Sequence, residues 1–308
     1  MSHLLYIMID SSQVFIADAS DRIAGMQKLL AKFDLRTKGT IALKANYNSD
    51  DPFPATTHPE TLRVLAEHLK KNSSSLIMAE RSGMGNTEAV LKNRGVLDLS
   101  RKLGFQLLNL DSADPEDWYD VQAEGLHWKH GFKIARIFKE ADKVVQTCCL
   151  KTHRFGGHFT MSLKNSVGLI ASRPRGNPYD YMRELHSSPY QRLMIAEINK
   201  FYNTDLILMD ATQGFSHGGP DQGTLIKPGL LLASSDRVAI DAVGVALLRL
   251  YGTTPEVMKG RIFEQEQIAH AASLGIGVNS PEKMELVPLD DHSQKAADTI
   301  RNIFDEQG

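Results

Sequence analysis

Residues 143–170 read KVVQTCCLKTHRFGGHFTMSLKNSVGLI. The first residues, Lys143–Cys149, form an apolar, β-branched run that is typical of a strand. This run changes abruptly into cationic and imidazole side chains and a glycine pair, followed by an apolar pattern that predicts the start of a helix. A strand, a loop and a helix in this order are the repeating unit of an α/β fold.

The rest of the chain repeats this alternation. Helical patterns cover His58–Lys71, Pro189–Phe201 and Arg237–Leu250, and a polar helix follows Asp291. No composition shift marks a linker, so we predict one large α/β domain over residues 1–308, with a largely parallel or mixed sheet and crossover helices. The predicted strands are Leu4–Ile9, Thr40–Ala45, Ser75–Ala79, Phe105–Leu110, Lys143–Cys149, Asp205–Met209 and Gly229–Ala233.

Composition and charge argue against several classes of protein. The net charge of −2 gives no reason to expect nucleic acid or an anionic membrane as a partner. The apolar stretch Leu4–Ile9 follows no Lys or Arg and is too short to span a bilayer. The two cysteines, Cys148 and Cys149, are adjacent and would point to opposite faces of a strand. A reducing cytoplasm is therefore the expected location, and this chain alone is not expected to hold an iron–sulfur cluster.

Cationic side chains mark the expected site. In parallel sheets the ligand binds beyond the carboxyl ends of the strands, and between Lys151 and Arg192 seven basic residues accompany two acidic ones. A lysine beside a buried helix face requires a partner. We therefore predict a small phosphate- or carboxylate-bearing ligand, with His153 as a general acid or base because imidazole titrates near neutral pH. The predicted ligand-binding residues at this site are Lys44, Asn46, Lys151, Lys164 and Asn165.

Two further loops allow a structural or a functional interpretation. The sequence Thr57-His58-Pro59-Glu60 matches a capping box, which explains Thr57 and Glu60 but not His58. A helix N-terminus at that point is also a natural seat for an anion, with His58 as a ligand. The loop Ser82–Thr87 has two glycines but Glu88 where a dinucleotide-binding motif needs a third, so a plain turn is favoured.

Acidic residues supply the other candidates. Asp241 lies in a nearly all-apolar helix, where a carboxylate is costly unless Lys151 or Lys164 pairs with it, either as part of the catalytic site or as a structural ion pair. Asp210 ends an apolar strand, and His217 follows in a glycine-rich loop. This second pair is a candidate site for a divalent metal, with a spacing that is diagnostic of no particular ion.

The segment from Ser172 to His186 is predicted to be a loop that covers the site. Its prolines and glycine oppose a regular helix. Its three arginines suit a carboxylate or phosphate, and closing them over a bound anion would exclude water. His186, at the end of this flap, is a candidate ligand-binding residue.

These motifs, in this order, resemble the family known as DUF362, a domain of unknown function that is sometimes attached to iron–sulfur modules. One departure is Ala45, where the family typically has proline. The layout is also similar, at the level of the fold, to nickel-pincer lactate racemases. The family motifs found here are Lys44-Ala45-Asn46, Thr57-His58-Pro59, Lys151-Thr152-His153, Lys164-Asn165-Ser166-Val167-Gly168, His186, Asp210, Gly219-Pro220 with Gly223, and Asp236 with Ala239 and Asp241.

Two classes of function fit these observations. The first is an enzyme, in which Lys151, His153 and Asp241 carry the chemistry on a small anionic substrate, either alone or with a divalent metal. The second is a non-catalytic carrier or accessory protein that delivers a metal or ligand to an iron–sulfur partner, as the resemblance implies. Turnover distinguishes the two classes.

Overall fold

The computed structural model describes residues 11–308, and the predicted strand Leu4–Ile9 lies outside this range. Twelve strands and twelve α-helices are present within the described range. The strands are β1 (Ser12–Asp18), β2 (Thr40–Lys44), β3 (Ser75–Glu80), β4 (Gln106–Asn109), β5 (Trp118–Val121), β6 (Phe132–Ala135), β7 (Lys143–His153), β8 (His158–Phe159), β9 (Leu206–His217), β10 (Thr224–Ile226), β11 (Leu230–Ser234) and β12 (Met284–Pro288).

The helices alternate with these strands over most of the chain, as the sequence predicts. They are α1 (Arg22–Leu30), α2 (Pro59–Asn72), α3 (Thr87–Asn93), α4 (Val96–Leu103), α5 (Ile137–Glu140), α6 (Ser162–Asn165), α7 (Tyr181–Ser187), α8 (Gln191–Ile198), α9 (Arg237–Leu250), α10 (Pro255–Met258), α11 (Glu266–Ser273) and α12 (Asp291–Gln307). Within residues 11–308, no helix is both long enough and apolar enough to cross a bilayer.

One mixed sheet organises the fold. Its strand order is β12-β1-β11-β9-β7-β2-β3-β4, with β10 paired to β9 and β8 to β7. The block β9-β7-β2-β3-β4 is parallel throughout, whereas β11 runs antiparallel to both β1 and β9. This arrangement confirms the predicted α/β fold with a largely parallel or mixed sheet in a single domain. The strands β1, β8, β10 and β12 and the separate hairpin β5–β6 were not predicted.

The sheet is covered on both faces, which explains why the central strand β7 is buried along its length. On one face Val145, Leu208 and Leu231 pack with α1 and α2. On the other face α9 packs against β1, β7, β9 and β11, and the hairpin β5–β6 with α7 and α8 continues this layer. Covering both faces leaves the carboxyl ends of the parallel strands as the place where polar side chains meet a cavity.

Candidate functional site

Three neighbouring parallel strands end at one cavity. The strands β7, β2 and β3 lie side by side and terminate at His153, Lys44 and Glu80. Above them, the short helix α6 adds Lys164. The cavity has a volume of about 50 Å³, and we call it the inner cavity. The charged and imidazole groups of its wall are Lys44, Glu80, Arg81, Lys151, His153 and Lys164.

Lys44 and Glu80 form a buried ion pair at the floor of the inner cavity. The two side chains are 3% and 1% exposed, and the Lys44 ammonium contacts Glu80 Oε1 and donates to the carbonyl of Ala45 at 2.6 Å. Burial lowers the pKa of Lys44 and raises that of Glu80, and their mutual attraction opposes both shifts. Glu80 Oε2 is buried and has no hydrogen-bond partner within residues 11–308.

Lys151 is buried without a compensating carboxylate. Its side chain is 2% exposed, and its ammonium donates to the carbonyl oxygen of Ala55. No salt bridge joins Lys151 to any acidic residue of the described chain. Burial lowers the pKa of Lys151, since no ion pair offsets the loss of hydration. A cation in this position favours an anion in the cavity beside it.

Arg81 adds a second such cation. Its guanidinium donates to two backbone carbonyls, those of Ile170 and Val167, both at 2.9 Å. No carboxylate of the described residues lies within salt-bridge distance of it, although the Glu80 and Asp111 charges oppose the lowering of its pKa by burial. The Arg81 charge therefore contributes to a positive field in the cavity.

Lys164 also has a lowered pKa. Burial, with repulsion from Lys151 and Arg81, lowers the pKa of Lys164 to about 7. No acidic side chain within residues 11–308 forms a salt bridge with it. A lysine with this pKa exchanges a proton near neutral pH, which is what a general acid or base requires.

The geometry of His153 defines its protonation state. The backbone N–H of Gly157 donates to His153 Nδ1 at 3.1 Å, so in the neutral ring the proton is on Nε2. Burial, with the charges of Lys164 and other nearby cations, lowers the pKa of His153 well below its usual value. His153 is therefore a neutral hydrogen-bond donor, and protonating Nδ1 would break its contact with Gly157.

Two glycines make room for the lysines. A Cβ atom at Gly168 would lie 2.6 Å from Lys44 Cε, and one at Gly157 would lie 2.7 Å from His153 Nδ1 and 3.1 Å from Lys164 Cε. Contacts this short are not tolerated without displacement of the side chains. Gly157, in the loop after β7, and Gly168 thus permit the close packing of these side chains.

A larger outer cavity of about 750 Å³ adjoins the inner one. Arg81, His153 and Lys164 line both cavities. The glycine loop at Ser82–Gly85 forms part of the outer wall, although the sequence favours a plain turn there. The segment between Ser172 and His186 forms another part. A ligand with one end in the inner cavity can therefore extend into the outer one.

Comparison with known proteins places the chain in a family. Residues 41–246 match the model of the family described as a domain of unknown function, DUF362. The chain belongs to the DUF362 family. A thylakoid-associated protein, sll1697, from Synechocystis sp. is 23% identical over 202 residues, which are 66% of this chain and 60% of that protein. The match thus spans less than two thirds of the relative's length.

A solved structure similar to this DUF362 chain is that of the lactate racemase apoprotein from Thermoanaerobacterium thermosaccharolyticum, with 12% sequence identity and a TM-score of 0.44. The alignment covers 94% of this chain and 86% of that structure.

Most of the predicted ligand-binding residues of the DUF362 motifs lie at these cavities. Lys44, Asn46 and Asn165 line the inner cavity with Lys151, His153 and Lys164. Asn165 Oδ1 also accepts from the Lys44 ammonium at 3.3 Å, which helps to fix that side chain. His186 lines only the outer cavity, and its Nδ1 donates to the Met182 carbonyl oxygen at 2.7 Å.

His58 and Asp210 form a separate cluster outside both cavities. His58, rather than Thr57, is the N-cap of α2, because its Nδ1 accepts from the Glu60 amide at 3.2 Å. Its Nε2 lies 3.3 Å from Arg22. Asp210 accepts from Arg22 Nε at 3.2 Å and from the hydroxyls of Thr61 and Thr212, both at 2.7 Å. Protein donors thus satisfy both Asp210 oxygens, without a metal.

Asp241 also lies away from the cavities, and its partners are not lysines. Its carboxylate accepts from the backbone amides of Ser162 and Leu163, at 2.8 and 2.9 Å. Burial nevertheless raises its pKa to about 7. The predicted pairing with Lys151 or Lys164 is therefore replaced by a cap on α6. Asp241 thus holds the start of the helix that carries Lys164.

The remaining predictions concern His217 and the flap. His217 is exposed at the end of β9 and contacts Ser216 Oγ, 3.1 Å from its Nδ1. It forms no group of three potential metal ligands with Asp210 among the described residues. The flap is not a loop throughout, because Asp180 caps the helix α7 from Tyr181 onward. Only its first half, Ser172–Asp180, is irregular.

Glu80 and Arg81 were missed as site residues. Glu80 ends β3 and Arg81 follows it at the same edge of the sheet, so their position was a usable signal. A carboxylate beside Lys44 becomes meaningful only once β2 and β3 are known to be neighbours. The bonds from Arg81 to main-chain carbonyls leave no trace in the sequence.

Proposed function

We propose that this DUF362 chain binds a small phosphate- or carboxylate-bearing molecule, with the anionic group in the inner cavity. The observation that carries the proposal is that Lys151, Lys164 and Arg81 line one small cavity and form no salt bridge within residues 11–308. Lys151 and Arg81 are buried, and a buried charge without a partner costs several kcal/mol. A bound anion supplies the missing charge and accepts their hydrogen bonds.

The cavities also restrict the form of the ligand. A volume of about 50 Å³ accommodates one small group, whereas the adjoining 750 Å³ accommodates the rest of a metabolite. Glu80 Oε2, buried and unpartnered in the described chain, accepts a hydrogen bond from a hydroxyl or ammonium group of the ligand. The cationic donors and the Glu80 acceptor together favour a hydroxy or amino compound that carries a phosphate or carboxylate.

The proposed activity is acid–base chemistry on that ligand. Lys164, with a pKa of about 7, transfers the proton, and the neutral His153 donates a hydrogen bond from Nε2. Asp241 positions Lys164 through the start of α6. The alternative proposal is a non-catalytic carrier that uses the same cavity and delivers its ligand to an iron–sulfur partner. We also propose a reducing cytoplasmic location, supported by two buried free thiols.

Calorimetric titration with inorganic phosphate, pyrophosphate and citrate tests the binding. A hydrogen bond to a charged group contributes about 1.5–3 kcal/mol, so Lys151→Met and Lys164→Met should each raise Kd by about 10- to 100-fold. Lys102→Gln, at an exposed position on α4, is the matched control and should leave Kd unchanged. Absence of binding to the wild-type chain, or equal binding by all four proteins, would contradict the proposal.

Turnover separates the enzyme from the carrier. A screen of metabolite phosphates and organic acids, with and without added Mg²⁺, Mn²⁺, Ni²⁺ or Fe²⁺, is followed by proton NMR of the products. An enzyme converts a ligand that the wild-type chain binds, and Lys164→Met lowers kcat. Tight binding without conversion of any compound favours the carrier.

A further inference from the structure

A second polar cluster lies outside the anion cavities. Glu197 on α8 is 1% exposed and is flanked by His127, in the loop before β6, and His270 on α11. His127 Nδ1 lies 2.5 Å from Glu197 Oε1, and His270 Nε2 lies 3.3 Å from the same oxygen. One ligand atom from each of the three residues lies within 4.8 Å of the others.

We propose that His127, Glu197 and His270 bind a divalent metal ion of the zinc class. Two imidazoles and one carboxylate are the ligands that Zn²⁺ takes at about 2.0–2.2 Å in three-ligand sites. An ion between these atoms needs only a small expansion of the cluster. The proposal is independent of the anion cavity, since none of the three residues lines it.

The surrounding contacts hold the ligands in place before a metal arrives. Trp128, next to His127, is buried, and its Nε1 donates to the Met194 carbonyl on α8 at 3.2 Å. The backbone amide of His127 donates to Glu197 Oε2 at 3.0 Å. These bonds fix the loop against the helix that carries Glu197. Preorganised ligands lose less conformational entropy on binding the metal.

His270 also has the outer partner that metal-binding histidines commonly have. Its Nδ1 lies 3.4 Å from the hydroxyl of Ser273, which itself donates to the His270 carbonyl at 2.8 Å. A proton on Nδ1 directed to that hydroxyl leaves the lone pair of Nε2 for the ion. Without the ion, both imidazoles donate a hydrogen bond to Glu197 instead, so binding the ion requires each neutral ring to carry its proton on its other nitrogen.

The ion has a route and a free position. His127 and His270 are 33% and 22% exposed, so solvent reaches the cluster. His127 lines a cavity of about 540 Å³ together with Tyr190 and Glu184. Three protein ligands leave the fourth tetrahedral position to water or to a ligand in that cavity.

Titration of the full chain with ZnCl₂ tests the site. We expect one Zn²⁺ bound per wild-type chain, with a Kd raised more than about 100-fold by His270→Gln or His127→Gln, since loss of an outer partner alone costs about 10- to 100-fold. His130→Gln, in the same loop but outside the cluster, is the matched control. Unchanged Kd in both ligand variants, or no binding to the wild type, would overturn the proposal.

A spectroscopic measurement on the wild-type chain covers the case in which a variant does not fold. X-ray absorption of the Zn²⁺-loaded protein should show nitrogen and oxygen ligands only, with the outer-shell scattering of two imidazoles. Sulfur ligation, or scattering from a single imidazole, would place the ion elsewhere and overturn the proposal.

Discussion

Lys164 shows how a single residue couples binding to stability. It is held beside two other cations, and no acidic side chain of residues 11–308 forms a salt bridge with it. Such an arrangement costs folding free energy when the ammonium is charged. Sites that carry function often include this kind of locally unfavourable residue, because the ligand supplies the missing partner.

Replacing Lys164 by Met should stabilise the free protein. Its folded pKa of about 7 lies below the ordinary value of 10.5. Between pH 7 and pH 10.5 the unfolded chain binds more protons at Lys164 than the folded chain does, so the free energy of unfolding rises with pH in this range. Below pH 7 the folded protein carries the full cost of holding the charged ammonium. At pH 6 we expect Lys164→Met to gain about 0.5–2 kcal/mol, measured by urea denaturation. A less stable variant at pH 6 would contradict this.

Proton uptake provides a second readout of the same residue. A bound anion raises the pKa of Lys164, so phosphate binding at pH 8 should take up protons in the wild type and take up fewer in Lys164→Met. Calorimetry in buffers of different ionisation enthalpy measures the difference. The titration of Asp241 does not obscure the contribution of Lys164. The pKa of Asp241 is raised from 3.8 to about 7, so this residue lowers stability as the pH rises towards 7, below the range in which Lys164 acts.

At the scale of elements, α6 and the flap define the walls of the cavities. The helix α6 is only one turn long, and the Asp241 carboxylate satisfies two of its free amides. The flap contributes Ser172, Arg173 and Arg183 to the outer wall. Two of its three arginines already have partners, because Arg173 pairs with Asp180, and Arg175 pairs with Asp114 at 2.6 Å. If the flap closed over a ligand, Arg173 would exchange its ion pair with Asp180 for a contact with the ligand.

Limited proteolysis tests whether the flap responds to the ligand. Trypsin should cut the free protein after Arg175, which is 71% exposed, whereas Pro174 protects the bond after Arg173. A ligand in the outer cavity restrains both ends of Ser172–Asp180, so saturating pyrophosphate should slow this cleavage several-fold. The Arg175→Gln variant lacks this cleavage site and therefore identifies the fragment that results from it. Equal cleavage rates with and without pyrophosphate would exclude a responsive flap.

For the molecule as a whole, the sequence predicts the parallel core better than the edges. The strand-end rule brings Lys44, Lys151 and His153 to one edge because those strands are parallel neighbours. Periodicity does not encode strand direction, so the antiparallel insertion of β11 was not predictable. Backbone groups, such as the amides that donate to Asp241, are common to all residue types but proline, so the sequence does not reveal these contacts. His127 and His270, the proposed metal ligands, are distant in sequence and meet at Glu197 because α8 and α11 pack together.

The single sheet leads to a prediction about cooperativity. Both tryptophans, Trp118 and Trp128, belong to the cluster formed by the hairpin β5–β6 with α7 and α8, on one face of the sheet. Because that cluster shares Val144 on β7 with the central strands, it should not unfold independently. Tryptophan fluorescence and far-ultraviolet circular dichroism should therefore give the same midpoint in guanidinium chloride. Phosphate should raise both midpoints together, since a ligand at 100 times its Kd adds about 2.7 kcal/mol. A fluorescence transition at lower denaturant than the circular dichroism transition would show that the hairpin layer is a separate unit.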